Sequence, residues 1–111
     1  MLIPKQLELA GITVTVQPDH EFIKNKKCIG EAQYTSQRII IDPSSTPQNT
    51  FEQAYFHELT HWIFYIMNED EIRNNEKLID SFAHILYQAI KTSGYILPED
   101  KANELYEKTK E

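Results

Sequence analysis

The chain has 111 residues, a single cysteine and a formal net charge of -6. That length supports one hydrophobic core, so one domain over residues 1–111 is expected, without a separate sensor or nucleic-acid-binding domain. The acidic balance disfavours a phosphate-backbone partner, one cysteine cannot form an internal disulfide, and no apolar run reaches the roughly 20 residues of a membrane span. No nucleic acid, no membrane and a cytoplasmic setting are therefore expected, and Met1-Leu2-Ile3-Pro4-Lys5 does not read as a signal peptide.

Residues 2–10 are weakly helical or extended, and Gly11 ends them. Ile12-Thr13-Val14-Thr15-Val16 alternates strictly and predicts a strand with one buried face. Pro18-Asp19 closes it, and residues 19–27 read as a polar loop containing His20 and the solvated turn Lys24-Asn25-Lys26-Lys27. Residues 29–34 favour a second strand, Thr35-Ser36-Gln37 a hairpin turn, and Arg38-Ile39-Ile40-Ile41-Asp42 a third strand buried on both faces. The expected fold is thus α+β, with a small three-stranded, mainly antiparallel sheet that must pack on helices.

Residues 43–47 form a turn region before a helix that starts near Gln48 or Thr50 and runs to about Met67. Asn49 with Glu52, or Thr50 with Gln53, has capping-box spacing. Its apolar face gathers Phe51, Tyr55, Phe56, Leu59, Trp62, Ile63, Ile66 and Met67. After a polar connection over 68–75, a second helix from about Asn74 to Thr92 carries Leu78, Ile79, Phe82, Ala83, Ile85, Leu86, Ala89 and Ile90 on one face. Ser93-Gly94 stops it, and Pro98 opens a C-terminal helix with Glu99 and Asp100 in its first turn.

The chemistry is concentrated in His57-Glu58-Leu59-Thr60-His61, an H-E-x-x-H run on the first long helix. Residues four apart lie about 40° apart around a helix, so the two imidazoles project side by side and can hold one metal ion. Glu58 is about 60° further round, beside the metal yet off the ligand pair. A catalytic zinc site keeps three protein ligands, and the best third is Glu76 on the next helix. Asp80 follows it by one turn and can accept the outer ring N–H of a ligand histidine. Tyr34, Tyr65, His84 and His20 are candidate donors for a transition state. Phe64 and Tyr65 lie on the metal side of the helix, and His84 is also an alternative ligand. Cys28 is a further thiol to place, as ligand, nucleophile or structural filler.

These residues resemble the zincin metallopeptidases, and among them the compact ImmA/IrrE-like family of phages and mobile elements. The likeness covers roughly residues 29–90: the strand Arg38-Ile39-Ile40-Ile41-Asp42, the HELTH run, Glu76, and Asp80 followed by Phe82-Ala83 and Leu86. HELTH with Glu-x3-Asp is also similar to the gluzincin pattern. The resemblance implies one Zn²⁺ held by His57, His61 and Glu76, with Glu58 as general base and Asp80 orienting a ligand histidine. It implies a small sheet beside an active-site helix and a glutamate-bearing helix, and a regulator or repressor as the protein substrate.

The expected function is therefore zinc-dependent hydrolysis of peptide bonds in a cytosolic protein by metal-activated water. The alternative is a catalytically silent zincin-fold binding protein or inhibitor that captures a host factor. A metal-free interaction module is the third reading.

Overall fold

The computed structural model describes residues 1–26, 28–44 and 48–96, and over these the chain is α+β: a four-stranded mixed sheet packed on helices. Strand β1 (Gln6–Leu9) turns back into β2 (Ile12–Pro18) through Ala10 and Gly11, at φ 50° and 83°. Two consecutive left-handed residues give the tight turn whose twist suits a two-residue hairpin. The weak pattern of residues 2–10 thus resolves as a strand, and the sheet has four strands where the sequence predicts three.

Within the segment expected to be a loop, α1 (His20–Ile23) makes one helical turn. Asp19 caps it by accepting from the Phe22 amide at 3.0 Å, and Ile23 is buried. Strands β3 (Gly30–Gln33) and β4 (Arg38–Ile41) form the predicted hairpin, closed where the Gln37 amide donates to the Tyr34 carbonyl at 3.2 Å. The sheet order is β1-β2-β4-β3; β2 and β4 run parallel, and the other two pairs are antiparallel. Ile39, Ile40 and Ile41 are all buried, as a strand covered on both faces requires.

Strand β3 is a sheet edge. The Asp42 amide donates to the Ile29 carbonyl at 2.8 Å, and Gly30 pairs with Ile41 in the register. By the alternation of an antiparallel ladder, Gly30 and Ala32 then turn their N–H and C=O groups outward.

Helix α2 (Gln48–Ile66) lies against this sheet. Tyr55, Phe56 and Trp62 join Val14, Val16, Ile39 and Ile41 in the core, and the Trp62 indole donates to the Arg38 carbonyl at 3.1 Å. Polar residues on α2 are buried too: Glu52, Glu58, Thr60 and His61. Thr60 satisfies its hydroxyl by donating to the Phe56 carbonyl at 2.7 Å. Met67, expected on the apolar face, lies in the following turn and is exposed.

The connection after α2 contains a short helix, α3 (Asp70–Arg73), before α4 (Glu76–Lys91), which Asn75 caps by accepting from the Leu78 amide at 3.1 Å. The buried stripe of α4 is Ile79, Ala83 and Tyr87, whereas Leu78, Phe82, Ile85, Ala89 and Ile90 of the predicted face are exposed. A long-range clip coincides with the difference: Tyr87 donates to buried Glu52 at 2.9 Å, with Lys91 3.4 Å from the same oxygen. Glu52 is thereby committed to α4 and not to a capping box. The helix expected from Pro98 lies outside the described residues. Among those residues no helix is long and apolar enough to cross a membrane.

Candidate metal centre

Helix α2 presents His57 and His61 one turn apart, with ring centroids 5.0 Å from each other. The turn through α3 returns the chain so that α4 starts beside them, and its first residue is Glu76. The two Glu76 carboxylate oxygens stand 3.1 Å from His57 Nε2 and 3.0 Å from His61 Nε2. One ligand atom from each of the three residues lies within 4.8 Å of the others. Two imidazoles and a carboxylate at this spacing are a donor set that suits a borderline divalent cation. The predicted ligand group is thus assembled in space by two helices.

Each histidine has something behind it. His57 turns Nδ1 toward Asp80, 3.4 Å from Oδ1, which is ion-pair range but does not form a hydrogen bond here. His61 has the backbone carbonyl of Arg73 against its ring. Burial holds the His61 imidazole below its usual value, with Glu76 opposing. A neutral imidazole is the form that binds metal.

Glu58 is only 8% exposed. Burial pushes its carboxyl up to about 7; Glu76 and Glu31 add to this, while His57 and the Ala32 amide pull it down. The carboxylate is held against β3, where a Cβ on Gly30 would come within 3.1 Å of both Glu58 Cγ and the Ile40 carbonyl oxygen. Gly30 is what allows Glu58 to lie between helix and strand.

A cleft opens on both sides of His57 and Glu58. One chamber, about 390 Å³, is walled by Ile29, Gln53, Ala54 and Asp80. The other, about 400 Å³, holds His61 and Glu76 with Tyr34, Arg73 and Asn74. Of the predicted cleft residues, Tyr34 is therefore in place. Tyr65 is not on either wall; it stacks behind Tyr34 with ring centroids 4.1 Å apart. Phe64 packs edge-on against Phe82 instead.

His84 is exposed on α4 and lines neither chamber. Helical rise explains this, since eight residues beyond Glu76 amount to about 12 Å along the axis. His20 pairs with Asp42 at 2.9 Å and Ser44 at 3.1 Å, both through Nδ1. Both partners share one ring nitrogen, so the three residues cannot act as a proton relay. Cys28 is exposed at the cleft mouth, and burial, then Glu31 and Glu58, push its thiol up, which disfavours a nucleophilic thiolate.

Arg73 is the cleft residue that the sequence reading does not single out. Its signal is the pairing of Asp70 and Arg73 at i,i+3, with Arg73 Nη2 3.3 Å from Asp70, which marks a helical turn inside the polar connection.

In comparisons with known proteins, no family model, no curated protein and no solved structure matches this chain.

Proposed function

We propose that this chain is a zinc-dependent metallopeptidase of the zincin kind, hydrolysing peptide bonds in a protein or peptide substrate. The observation that carries the reading is the convergence of His57, His61 and Glu76 within 4.8 Å beside buried Glu58. Three protein ligands leave a position for water or substrate, as catalytic zinc sites require. Zinc is favoured by this donor set; manganese, cobalt or iron(II) suit similar ligands, and availability decides among them. When bound, the metal supplies Lewis-acid chemistry, polarising the scissile carbonyl and acidifying water.

The chain's own residues do the rest. Glu58, buried beside the candidate ligands, takes a proton from the attacking water at a carboxylate oxygen and returns it to the leaving amine. Asp80 keeps the His57 ring turned with Nε2 inward. The outward carbonyls of Gly30 and Ala32 offer main-chain hydrogen-bond acceptors to an extended substrate segment, added as a strand at the β3 edge. So narrow a recognition surface favours an unfolded segment of one regulator or repressor, met in the cytoplasm, over general digestion.

Elemental mass spectrometry tests the reading. Wild-type protein equilibrated with buffered zinc is expected to hold about one zinc per chain, and His61→Ala and Glu76→Ala to lose it. Glu58→Gln is expected to keep zinc and lose turnover. A wild type without zinc overturns the proposal.

A further inference from the structure

Attack on an amide builds negative charge on the carbonyl oxygen, and an efficient site holds a hydrogen-bond donor where that charge appears. The chamber that contains both histidines and Glu76 has three side-chain donors that are neither ligand nor base nor thiol: Tyr34, Arg73 and Asn74. Asn74 is exposed at the end of α3. Tyr34 and Arg73 remain, and they touch each other.

Tyr34 is fixed from several sides. Its ring stacks on Tyr65 at 4.1 Å with an interplanar angle of 16°, and meets Trp62 edge-on at 5.2 Å. Trp62 is 1% exposed and tied to the Arg38 carbonyl, so this wall does not shift easily. The Arg73 guanidinium lies 5.2 Å from the Tyr34 ring centre and 5.7 Å from that of Tyr65, flanking both rings. Asp70 anchors it, with Nε and Nη2 each 3.3 Å from Oδ1.

A guanidinium only donates. It therefore does not compete for the phenolic proton, which stays free to be donated. On the metallopeptidase reading, on which this rests, we propose that Tyr34 donates its O–H to the developing oxyanion and that Arg73 is the positioning residue that aims it. Burial raises the phenol above its usual value, so the proton stays in place. The backbone carbonyl of Arg73 lies against His61 while its side chain flanks the Tyr34 ring, so α3 supports one candidate ligand and the donor together.

The test uses zinc-loaded full-length chain and a library of quenched fluorescent peptides, the best-cut member serving as substrate for all variants. Tyr34→Phe is expected to lower kcat about 100-fold or more, with KM, zinc content and melting temperature unchanged. Arg73→Leu should lower kcat by less, and the double variant should be no slower than Tyr34→Phe, because one residue acts through the other. A fluorinated tyrosine placed at position 34 has a more acidic phenol. It should add a new alkaline fall to the pH–rate profile, an effect that a packing role does not produce.

A Tyr34→Phe variant within about threefold of wild-type kcat overturns the proposal and leaves the metallopeptidase reading standing, provided Glu58→Gln is inactive. A larger loss in Arg73→Leu than in Tyr34→Phe makes Arg73 itself the donor, and losses that multiply in the double variant remove the positioning role. Should Tyr34→Phe lose zinc or melt early, the fluorotyrosine profile decides, and an unchanged profile refutes the donor. A zinc-loaded wild type that cuts no library member sinks the metallopeptidase reading and this proposal with it.

Discussion

Replacing Glu58 with Gln should make the metal-free protein more stable above neutral pH, although the substitution removes the residue proposed as general base. Burial raises the Glu58 carboxyl from an ordinary 4.5 to about 7. Below pH 4.5 the group is protonated in both folded and unfolded chains, and the protein keeps its full stability. As pH rises through about 7, the unfolded chain has already released its proton into water, while the folded chain must ionise a carboxyl that is 8% exposed. At about 1.4 kcal/mol per pH unit, this lowers folding stability by roughly 3 kcal/mol at alkaline pH. A glutamine side chain has the same shape, can still accept from the Ala32 amide, and does not ionise.

Urea unfolding in EDTA, for wild type and Glu58→Gln, measures this across a pH series from about 4.5 to 8.5. Chelation matters, because a divalent cation beside Glu58 favours its charged form. Groups that titrate alike in both proteins cancel in the difference. The advantage of the Glu58→Gln variant over wild type should be small at the acid end and grow toward roughly 3 kcal/mol at the alkaline end. A difference that stays flat over the series refutes the reasoning, since ionising Glu58 would then carry no desolvation penalty in the fold.

Ala10 occupies the left-handed region at φ 50°, so Ala10→Asn should stabilise the β1–β2 hairpin by about 1 kcal/mol; an unchanged or lower melting temperature counts against that turn. Gly30→Ala places a Cβ 3.1 Å from both Glu58 Cγ and the Ile40 carbonyl oxygen. It should cost about 1–3 kcal/mol in urea unfolding and reduce peptide turnover, and wild-type values for both would show that Glu58 does not lie on that strand. Free zinc at about 100 times its dissociation constant should raise unfolding free energy by about 2.7 kcal/mol in the wild type and by nothing in His61→Ala, read by thermal melts against zinc concentration.

The parts of the site legible in the sequence are those that local helix geometry fixes. Spacing of four in HELTH aligns His57 with His61, and spacing of four again aligns Glu76 with Asp80, so both candidate pairs can be read from the sequence, while their meeting is a contact between α2 and α4. The same periodicity misleads for His84, because a helix that continues in phase also moves away along its axis. Gly30 and Arg73 acquire their roles from contacts between elements: one lets Glu58 approach a sheet edge, the other reaches from α3 to a hairpin residue. The exposed side of α4 has the same origin, since several apolar residues around the helix compete and the Tyr87 bond to Glu52 accompanies burial of another stripe. The first hairpin escaped because Ala10-Gly11 lacks the Asn-Gly signal that usually announces a two-residue turn.

The electrostatics of the cleft tie these features together. Glu31, Glu58 and Glu76 line the same chamber, and Glu76 and Glu31 both push the Glu58 carboxyl upward. Among the described residues, the cationic side chain on these walls apart from the histidines is Arg73, and it is engaged with Asp70 and two tyrosine rings. Burial meanwhile keeps His61 toward its neutral form, so it adds little compensating charge. Lys26 pairs with Glu31 at 3.3 Å, but among the described residues Glu58 and Glu76 have no lysine or arginine partner. A divalent ion held by His57, His61 and Glu76 would relieve that repulsion and lower the Glu58 carboxyl at the same time. Loading the metal should therefore flatten the pH dependence that Glu58 gives the metal-free chain, so that the stability lost by burying an acid is recovered in the form in which that acid would act.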